Sequence, residues 1–487
     1  MKYIKHVLFL VSNLDPVYQG EVLRRLITAF LIAVVLTPAL ASANPEPTAY
    51  DTRSIAMGIT GTSYLERPAA LALNPANMEG IDKLGFTFNF SNLFVNQRAP
   101  VQGPGTQVDS GIGYGPMPSG FIGGRIAPRV VFVGGIYIET GYGSSFGDVT
   151  CLDGDEVVDG VPNTDPATCT NAQPQDLNVT FFVGEFAAGT SFRVTDKFWL
   201  GVALRLPFSK QVADLYQNTL AALGTFGYGR VKNDLGGVGF PSPRFGLTYK
   251  PHPKVSIGAM YRMYSKIKMT GTTEAELGGN LLTLDATADW YIPHAIQFGV
   301  SWRPTTQLLF ALESRLQFHG ANKTGNKNQT VSTTDPDGNV PDFAIVVPFG
   351  WKTSWSVKVG AEYRINPLLA VRGGAAIAES ATTEEWAQYF TPPAGLNGYL
   401  STGLGFYWND RNNPDVKDKY MLDLAGSFAF GGGNISDELA TNASPALVPG
   451  TDQIVDLCSR DQVVRTGCAG DYRVLTYWFS FAVSIQY

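Results

Sequence analysis

The chain has 487 residues, and its 53 Gly, 29 Phe and 21 Tyr accompany a charged fraction of only 16%. The net charge of −6, without any basic patch or stripe, excludes a nucleic-acid interface. A mean hydropathy near zero is too low for a bundle of membrane helices. It suits a membrane β-barrel, because the apolar outer face and the polar inner face average out along every strand.

Residues 1–43 predict an export signal. An apolar run from Leu26 to Leu40 follows two arginines and precedes Ala41-Ser42-Ala43, which is a small-residue cleavage pattern. The run is shorter than the ~20 residues of a spanning helix, so cleavage is expected rather than anchoring. The mature chain therefore begins at Asn44.

The next segment, 44–83, predicts a plug. It is rich in Ala, Gly, Thr and Pro and has no sustained strand or helix period, which indicates irregular but compact chain. A wide barrel has a polar lumen in which irregular backbone finds hydrogen-bond partners. We therefore expect this segment to lie inside a barrel formed by residues 84–487.

Residues 84–487 alternate apolar and polar side chains in a way that predicts about fourteen strands of an antiparallel transmembrane β-barrel, an all-β fold. The predicted strands are Leu84–Val95, Ser119–Ala127, Val130–Thr140, Asn178–Val194, Lys197–Phe208, Arg244–Lys250, Lys254–Met269, one ending at Trp302, one starting at Gln307, Trp351–Arg364, Leu368–Ala378, Tyr399–Trp408, Tyr420–Phe430 and Asp471–Tyr487.

The lengths of the connections support an outer-membrane barrel. Odd-numbered connections are long, whereas even-numbered ones are short turns apart from a modest polar link at 409–419. Outer-membrane barrels have long extracellular loops and short periplasmic turns. We expect a monomer that passes through the bacterial outer membrane many times and contacts outer-membrane lipid.

The last strand carries a second indication. From Leu475 to Tyr487 every other residue on one face is apolar or aromatic, and such an edge would aggregate in a soluble protein. The terminal aromatic residue resembles the C-terminal signature that the barrel assembly machinery recognises. This machinery is therefore a predicted partner.

Four cysteines fall as two close pairs in segments without strand character. In an exported chain this spacing predicts disulfides Cys151–Cys169 and Cys458–Cys468, although three connectivities are open. Neither pair has zinc-site spacing, and no phosphate-binding or redox motif is present. No metal and no cofactor are predicted.

Asn74-Pro75-Ala76, after a run of small residues, resembles the hatch motif of the FadL-type transporters of long-chain fatty acids and hydrocarbons. Further similarity lies in Phe245–Pro251, Trp351–Asn366, Val371–Gly374 and Leu400–Phe406. The resemblance implies a fourteen-stranded barrel, plugged by its own N-terminus, for passive uptake of a fatty acid or hydrocarbon. A general porin, a structural surface barrel and an outer-membrane phospholipase are the alternatives.

Gly134 and Gly135 remove two side chains from the third strand, which weakens packing and often marks a bulge. In the family that strand is kinked and opens sideways, so the resemblance implies lateral release of the ligand here. Ordinary barrel curvature is the alternative.

Residues Val212–Leu223, in a predicted external loop, show helical spacing. We expect an apolar helix face that captures the ligand, unless this helix simply packs on the barrel rim. The residues of that face are Leu215, Tyr216, Leu220 and Leu223.

Strand alternation also predicts which cations face the lumen. A carboxylate ligand needs such partners, because an unpaired buried charge is costly. Pairing of the same cations with each other's counter-ions or with the plug is the alternative. The candidates are Arg205, Arg262, Arg315 and Arg372.

Overall fold

The computed structural model describes residues 50–101, 107–149, 157–158, 161–162, 175–218, 228–277, 280–338, 340–408, 419–435, 446–447, 454–455 and 469–487. The predicted signal 1–43 and all four cysteines lie outside these ranges. None of the described helices is long and apolar enough to cross a membrane.

Within the described residues four short helices occur. Three precede the first strand, namely α1 Thr52–Ala56, α2 Ala70–Leu73 and the 3₁₀ helix Pro75–Gly80, and the 3₁₀ helix Glu384–Trp386 lies later in the chain. The strands are β1 Leu84–Ala99, β2 Val108–Asp109, β3 Gly113–Ala127, β4 Val130–Val149, β5 Val157–Val158, β6 Val161–Pro162, β7 Gln175–Thr195, β8 Phe198–Asn218, β9 Tyr228–Gly239, β10 Ser242–His252, β11 Val255–Arg262, β12 Ser265–Leu277, β13 Asn280–Ile292, β14 Ala295–Trp302, β15 Leu308–Gln317, β16 Asn328–Thr334, β17 Phe343–Pro348, β18 Ser354–Asn366, β19 Leu369–Glu379, β20 Leu396–Trp408, β21 Tyr420–Ile435, β22 Ala446–Leu447, β23 Ile454–Val455 and β24 Gly470–Gln486.

The long strands form one closed antiparallel barrel. Consecutive spans of the barrel pair in chain order, although a span can consist of two strands, and β24 closes the circle by pairing with β1 at Phe90↔Phe481 and Ser91↔Ser480. Five spans consist of two strands each, namely β9–β10, β11–β12, β13–β14, β15–β16 and β17–β18. With the nine unbroken spans they give fourteen, which confirms the predicted fold class.

The alternation predicted for the first and last strands is confirmed. Phe88 on β1 and Phe479 on β24 point outward and are 37% and 59% exposed, whereas Asn89 is fully buried. The outward residues form the lipid face of the barrel. On β15, Arg315 is buried as predicted, while Leu312 is outward.

The five divided spans are interrupted side by side. The register links Arg244, Arg262, Ala295, Gln317 and Ser354, each of which lies within two residues of the end of its strand at the break. This row of strand breaks separates a membrane half (β10, β11, β14, β15 and β18) from an outer half (β9, β12, β13, β16 and β17, with residues 178–183 of β7 and 208–218 of β8 paired beside β9). The outer half lies on the side of the long loops.

The two halves have opposite polarity. In the membrane half the exposed outward residues are large and apolar, such as Phe298 and Leu312, and the buried inward residues are polar. In the outer half exposed Lys268 and Asp285 face outward, and Trp290 is among the buried inward residues. The outer half is therefore patterned like a soluble barrel with an apolar interior.

The outer half corrects the predicted external helix. Leu215 and Tyr216 belong to β8, whose residues Val212–Asn218 pair with β7 or β9. Spacings of three and four along an apolar segment also occur by chance in an alternating strand, and here pairing with distant strands decides the structure. Leu220 and Leu223 lie outside the described residues.

The segment before β1 lies within the barrel lumen. Residues of α1 contact β19, β20, β21 and β24, and the 3₁₀ helix Pro75–Gly80 contacts β7, β8 and β10. Its apolar residues, including Leu71 and Met78, are fully buried. Irregular chain is tolerated here because inward polar groups of the strands form hydrogen bonds with its backbone.

Candidate functional site

The interior of the outer half holds a buried aromatic cluster, which we define as Phe181, Trp290, Phe349, Trp351 and Phe390. Phe181 and Trp290 extend inward from β7 and β13. Phe349 and Trp351 come from the break between β17 and β18, and Phe390 from the segment between β19 and β20. The cluster thus joins strand residues to side chains from irregular segments.

The rings of the cluster are in direct contact. The centroids of Phe181 and Trp290 are 4.5 Å apart, and that of Trp351 lies 5.5 Å from Trp290. Around them lie further buried apolar side chains: Val179, Val183, Ala213, Leu215, Leu235, Ile267, Met269, Ala286, Ala288, Ile292, Val331 and Ala381. The lumen of a water-filled porin is polar, so this interior suits an apolar molecule instead.

Gly350 positions the two aromatic residues beside it. Its φ of +56° lies in the left-handed region that favours glycine. A Cβ at Gly350 would lie 2.1 Å from Cδ1 of Trp386, so the indole packs directly on the glycine. The amides of Phe349 and Gly350 donate to the carbonyl oxygen of Lys327 at 3.0 and 2.7 Å. This turn therefore fixes the inner wall of the cluster.

A charged layer lies on the plug side of the aromatic cluster. It consists of Glu139, Glu185, Arg205, Arg244 and Arg262, which are at most 1% exposed. Arg244 donates to Glu139 at 3.1 Å, Arg205 to Glu185, and Arg262 to Glu139. Each of these arginines already has a carboxylate partner, which supports the pairing alternative for the predicted ligand contacts.

The other two predicted contacts have different positions. Arg315 approaches Glu139 at 3.9 Å and so adjoins the charged layer. Arg372 lies elsewhere, where it donates to Glu362 at 2.7 Å and to Asp423 at 2.6 Å. The structure thus brings Arg205, Arg262 and Arg315 together and leaves Arg372 out.

The charged layer contacts the plug. Arg244 donates to the carbonyl oxygen of Ala72 in the plug. The ring centroid of Tyr137 on β4 lies 4.9 Å from that of Tyr50, which precedes α1. On its other side Arg262 donates to the carbonyl oxygen of Pro293 at 3.1 Å, next to the apolar interior. An apolar molecule in the aromatic cluster would have to cross this layer to reach the plug.

The Asn74-Pro75-Ala76 motif fastens the plug to the wall. The Asn74 side chain accepts from the Ala76 amide at 3.1 Å and caps the 3₁₀ helix. It donates to the carbonyl oxygens of Thr62 at 2.7 Å and of Leu247 on β10 at 3.1 Å. A Cβ at Gly246 would lie 2.2 Å from the Asn74 side-chain oxygen, so the motif fits without spare room.

One barrel carboxylate holds the middle of the plug. Glu313 on β15 accepts from the amides of Gly61 at 2.5 Å and Thr62 at 2.6 Å. The Thr62 hydroxyl adds a third bond at 3.0 Å. Hydrogen bonds to a buried charge are stronger than neutral ones, so this contact anchors the plug.

Ion pairs also tie the plug to β18 and β21. Arg53 donates two hydrogen bonds to the Glu362 carboxylate, at 2.8 and 2.6 Å. Arg67 forms ion pairs with Asp51 at 2.5 Å and with Asp423 at 2.6 Å. Burial by itself lowers the pKa of Arg67, but Asp51 and Asp423 outweigh it and raise the pKa above its ordinary value. The plug is thus held by charge as well as by shape.

The barrel wall has a side gap between β3 and β4. Their ladder ends at Gly120↔Ile136, although β3 continues to pair with β1 up to Gly113 and β4 continues to pair with β7. Towards the loops, the Gly111 amide donates to the Ser145 carbonyl oxygen at 2.8 Å. These contacts bound the gap at both ends within residues 107–149.

Gly134 and Gly135 lie in the last paired stretch next to this gap, opposite Ile122 and Phe121. The register of β4 against β7 shifts further along, between Ile138 and Thr140, so the irregularity is not at the two glycines. A Cβ at Gly135 would lie 2.4 Å from the Phe121 ring, and this glycine makes room for that side chain.

Two prolines of β3 account for the end of the ladder. Alternate residues of an antiparallel strand direct their amides to opposite neighbours. β3 remains paired with β1 through Pro116 and Pro118, so the positions without N–H fall on the side of β4. The two donors that β4 would need directly beyond Gly120↔Ile136 are therefore missing.

Apolar side chains close the inner side of the gap. Met117 of β3 packs with Ile55 and Ala56 of the plug, and Ile138 of β4 lies against them. The gap therefore has an apolar backing, part of which belongs to the plug.

Sequence reasoning missed the aromatic cluster and the two prolines. The sequence does contain an indication of the aromatic cluster, because Trp290 and Ile292 alternate with Asp289 and Tyr291. If the polar residues of this strand face outward, Trp290 and Ile292 face the interior, where they are buried. Pro116 and Pro118 lie two positions apart, so both lack an N–H on the same side of the strand, which predicts an unpaired strand edge there.

Residues 33–430 match the family model described as outer membrane protein transport protein (OMPP1/FadL/TodX). No curated protein matches the sequence.

Solved structures have a similar fold. A Pseudomonas aeruginosa FadL homologue is 15% identical, with 92% of this chain and 100% of that chain covered and a TM-score of 0.67. The toluene transporters TbuX of Ralstonia pickettii and TodX of P. putida are each 17% identical, with 92% and 99% covered and TM-scores of 0.64. At these identities the likeness shows the fold alone.

Proposed function

The chain belongs to the OMPP1/FadL/TodX family, transport barrels of the bacterial outer membrane that carry hydrophobic compounds and are not enzymes. From this premise we propose the route: the aromatic cluster holds the compound, and the side gap between β3 and β4 releases it into the membrane.

The aromatic cluster carries the proposal. Inward positions of the outer half hold Phe181 and Trp290 where a general porin has polar groups. Moving an apolar molecule from water into such surroundings is favourable by roughly 25 cal/mol per Å² of buried surface. Capture by residues 219–227, which follow β8, would precede this step, with Leu220 and Leu223 as the proposed apolar contacts.

The charged layer and the plug favour a sideways exit. An apolar molecule that crossed the layer would separate buried ion pairs such as Arg262–Glu139. Removing one partner of a buried pair costs about 3–5 kcal/mol, and the tightly fitted plug lies beyond it. The side gap offers an apolar route past Met117 and Ile138 instead.

The aromatic cluster favours an aromatic hydrocarbon as the substrate. Two proteins of similar structure, TbuX and TodX, are toluene transporters. Contacts between aromatic rings add about 0.5–1.5 kcal/mol to the burial of their area. A fatty acid is the second candidate, because four arginines, including Arg315, surround only two glutamates near the charged layer.

Fluorescence titration of the purified barrel in mild detergent tests the proposal. Toluene should quench tryptophan emission saturably, and Trp290→Ala should weaken binding at least tenfold. Trp302→Ala is the matched control, because Trp302 is outward and 50% exposed. Equal affinities for wild type and Trp290→Ala would refute binding in the cluster.

Laurate, titrated in parallel, distinguishes the substrates. Preference for toluene supports the hydrocarbon. Preference for laurate, weakened by Arg315→Ala, supports the fatty acid. Mass spectrometry of organic extracts from the purified protein provides an independent check of the compound class.

A further inference from the structure

A cavity lies between the plug and the barrel wall at the end of the short turns, which is the periplasmic end. Its volume is about 240 Å³. The plug contributes Arg53, Glu66 and Arg67, and the wall contributes Arg303 and Arg364 among others. The cavity is separate from the aromatic cluster, because the plug and the charged layer lie between them.

Positive charge is in excess around this periplasmic cavity. Its lining contains four arginines and two glutamates. Both glutamates already have cationic partners, since Arg53 and Arg372 bind Glu362 and Lys250 binds Glu66 at 2.5 Å. The lining therefore has no carboxylate left to balance a further cation.

Two lining arginines have unused donors within the described part of the chain. The Nε–H of Arg67 is buried without a hydrogen-bond partner, although both of its terminal nitrogens are engaged. No described residue forms an ion pair or a hydrogen bond with the Arg303 guanidinium. Although Arg303 keeps an exposed surface, loss of hydration and the charge of Arg53 lower its pKa.

We propose that the periplasmic cavity binds a small oxyanion, a carboxylate or phosphate group, through Arg303 and the neighbouring arginines. Guanidinium groups match the planar geometry of these anions and bind them with charge-assisted hydrogen bonds. An anion here would offset the excess charge and supply the acceptor that Arg67 lacks. It would contact the plug and the wall together.

The lining limits the ligand to a head group. Leu309 and Met421 are its apolar members, which is too little surface to cover an alkyl chain. A free anion from the periplasm and the head of an acidic amphiphile share the required chemistry. The experiment below therefore includes both sources.

Isothermal titration calorimetry tests this site. The full-length barrel is titrated in non-ionic detergent, at a constant ionic strength set with chloride. The probes are inorganic phosphate, acetate and laurate. We expect saturable binding of one anion per barrel for phosphate or acetate, and at least tenfold weaker binding in Arg303→Ala.

Arg129→Ala is the matched control, because Arg129 is exposed in a short turn on the same face and does not line the cavity. Its affinity should equal that of wild type, and the heat-dependent electrophoretic shift of the folded barrel should be retained by both variants. Laurate binding that weakens in Arg303→Ala would identify the head group of an amphiphile as a source.

The absence of saturable binding of phosphate and acetate, or equal binding by Arg303→Ala and wild type, would overturn the proposal. Neither result depends on the aromatic cluster, since Trp290→Ala alters uptake of the hydrophobic compound but leaves this cavity intact. Failure of one site is therefore distinguishable from failure of the other.

Discussion

The membrane half and the outer half of this barrel use the same strand geometry with opposite polarity. Below the row of breaks, Leu312 faces lipid and Glu313 faces the lumen; above it, Lys268 faces water and Ile267 faces the interior. The surroundings of each half explain the difference, because lipid requires an apolar exterior and water a polar one. The outer half can therefore enclose an apolar binding site, whereas the membrane half has polar groups to hold a plug.

The largest effect is expected from a charge placed inside the outer half. Ile267→Asp buries an unpaired carboxylate and should destabilise the outer half by more than about 4 kcal/mol, with loss of toluene binding. Lys268→Asp, the outward neighbour, should leave binding unchanged. Fluorescence titration measures binding and denaturant unfolding measures stability. Equal behaviour of the two variants would contradict the inverted pattern.

A smaller effect is expected from the polar interior of the membrane half. Glu313→Ala removes the acceptor of three plug hydrogen bonds, each worth about 1.5–3 kcal/mol for a charged group. The plug should loosen, and ion conductance should appear in a planar bilayer. Glu274→Ala, in the outer half and without a contact to the plug, is the control. A sealed Glu313→Ala barrel would show that this anchor is dispensable.

The smallest effect should come from the turn that holds the aromatic cluster. Gly350→Ala strains a left-handed position and meets the Trp386 indole, at a cost of about 1–3 kcal/mol. Toluene affinity should fall several-fold, because Phe349 and Trp351 shift. Gly338→Ala has a similar φ of +70° with open space around it, so it separates backbone strain from displacement of the rings. Equal losses of toluene affinity in both variants would show that the turn at Gly350 does not position the rings.

The sequence predicted much of the membrane half for a physical reason. Lipid imposes a strict alternation, so the inward positions of Glu313, Arg315 and Gln317 could be deduced from residue order alone. The Asn74-Pro75-Ala76 motif similarly marked the plug. The signal boundary at 43 and both disulfides remain predictions.

The outer half was harder to predict, since its interior is assembled from distant parts of the chain. Leu215 lies in a strand because β7 and β9 pair with β8, and helical spacing contains no information about those partners. Phe349 and Phe390 come from segments without regular structure, so no period marks them. Gly134 and Gly135 indicated the neighbourhood of the side gap, but prolines on the adjacent strand determine where it begins.

Release of the compound through the side gap is the step that decides the proposed route. The direct test is toluene uptake into cells with Pro116→Thr/Pro118→Thr, which restores two amide donors that face β4. Hydrogen exchange should slow in residues 137–143 as the ladder extends, and uptake should fall at least tenfold while toluene affinity stays unchanged. Ile122→Thr, which alters the lipid face of β3 but no amide, is the control. Slower exchange with undiminished uptake would contradict release through the gap.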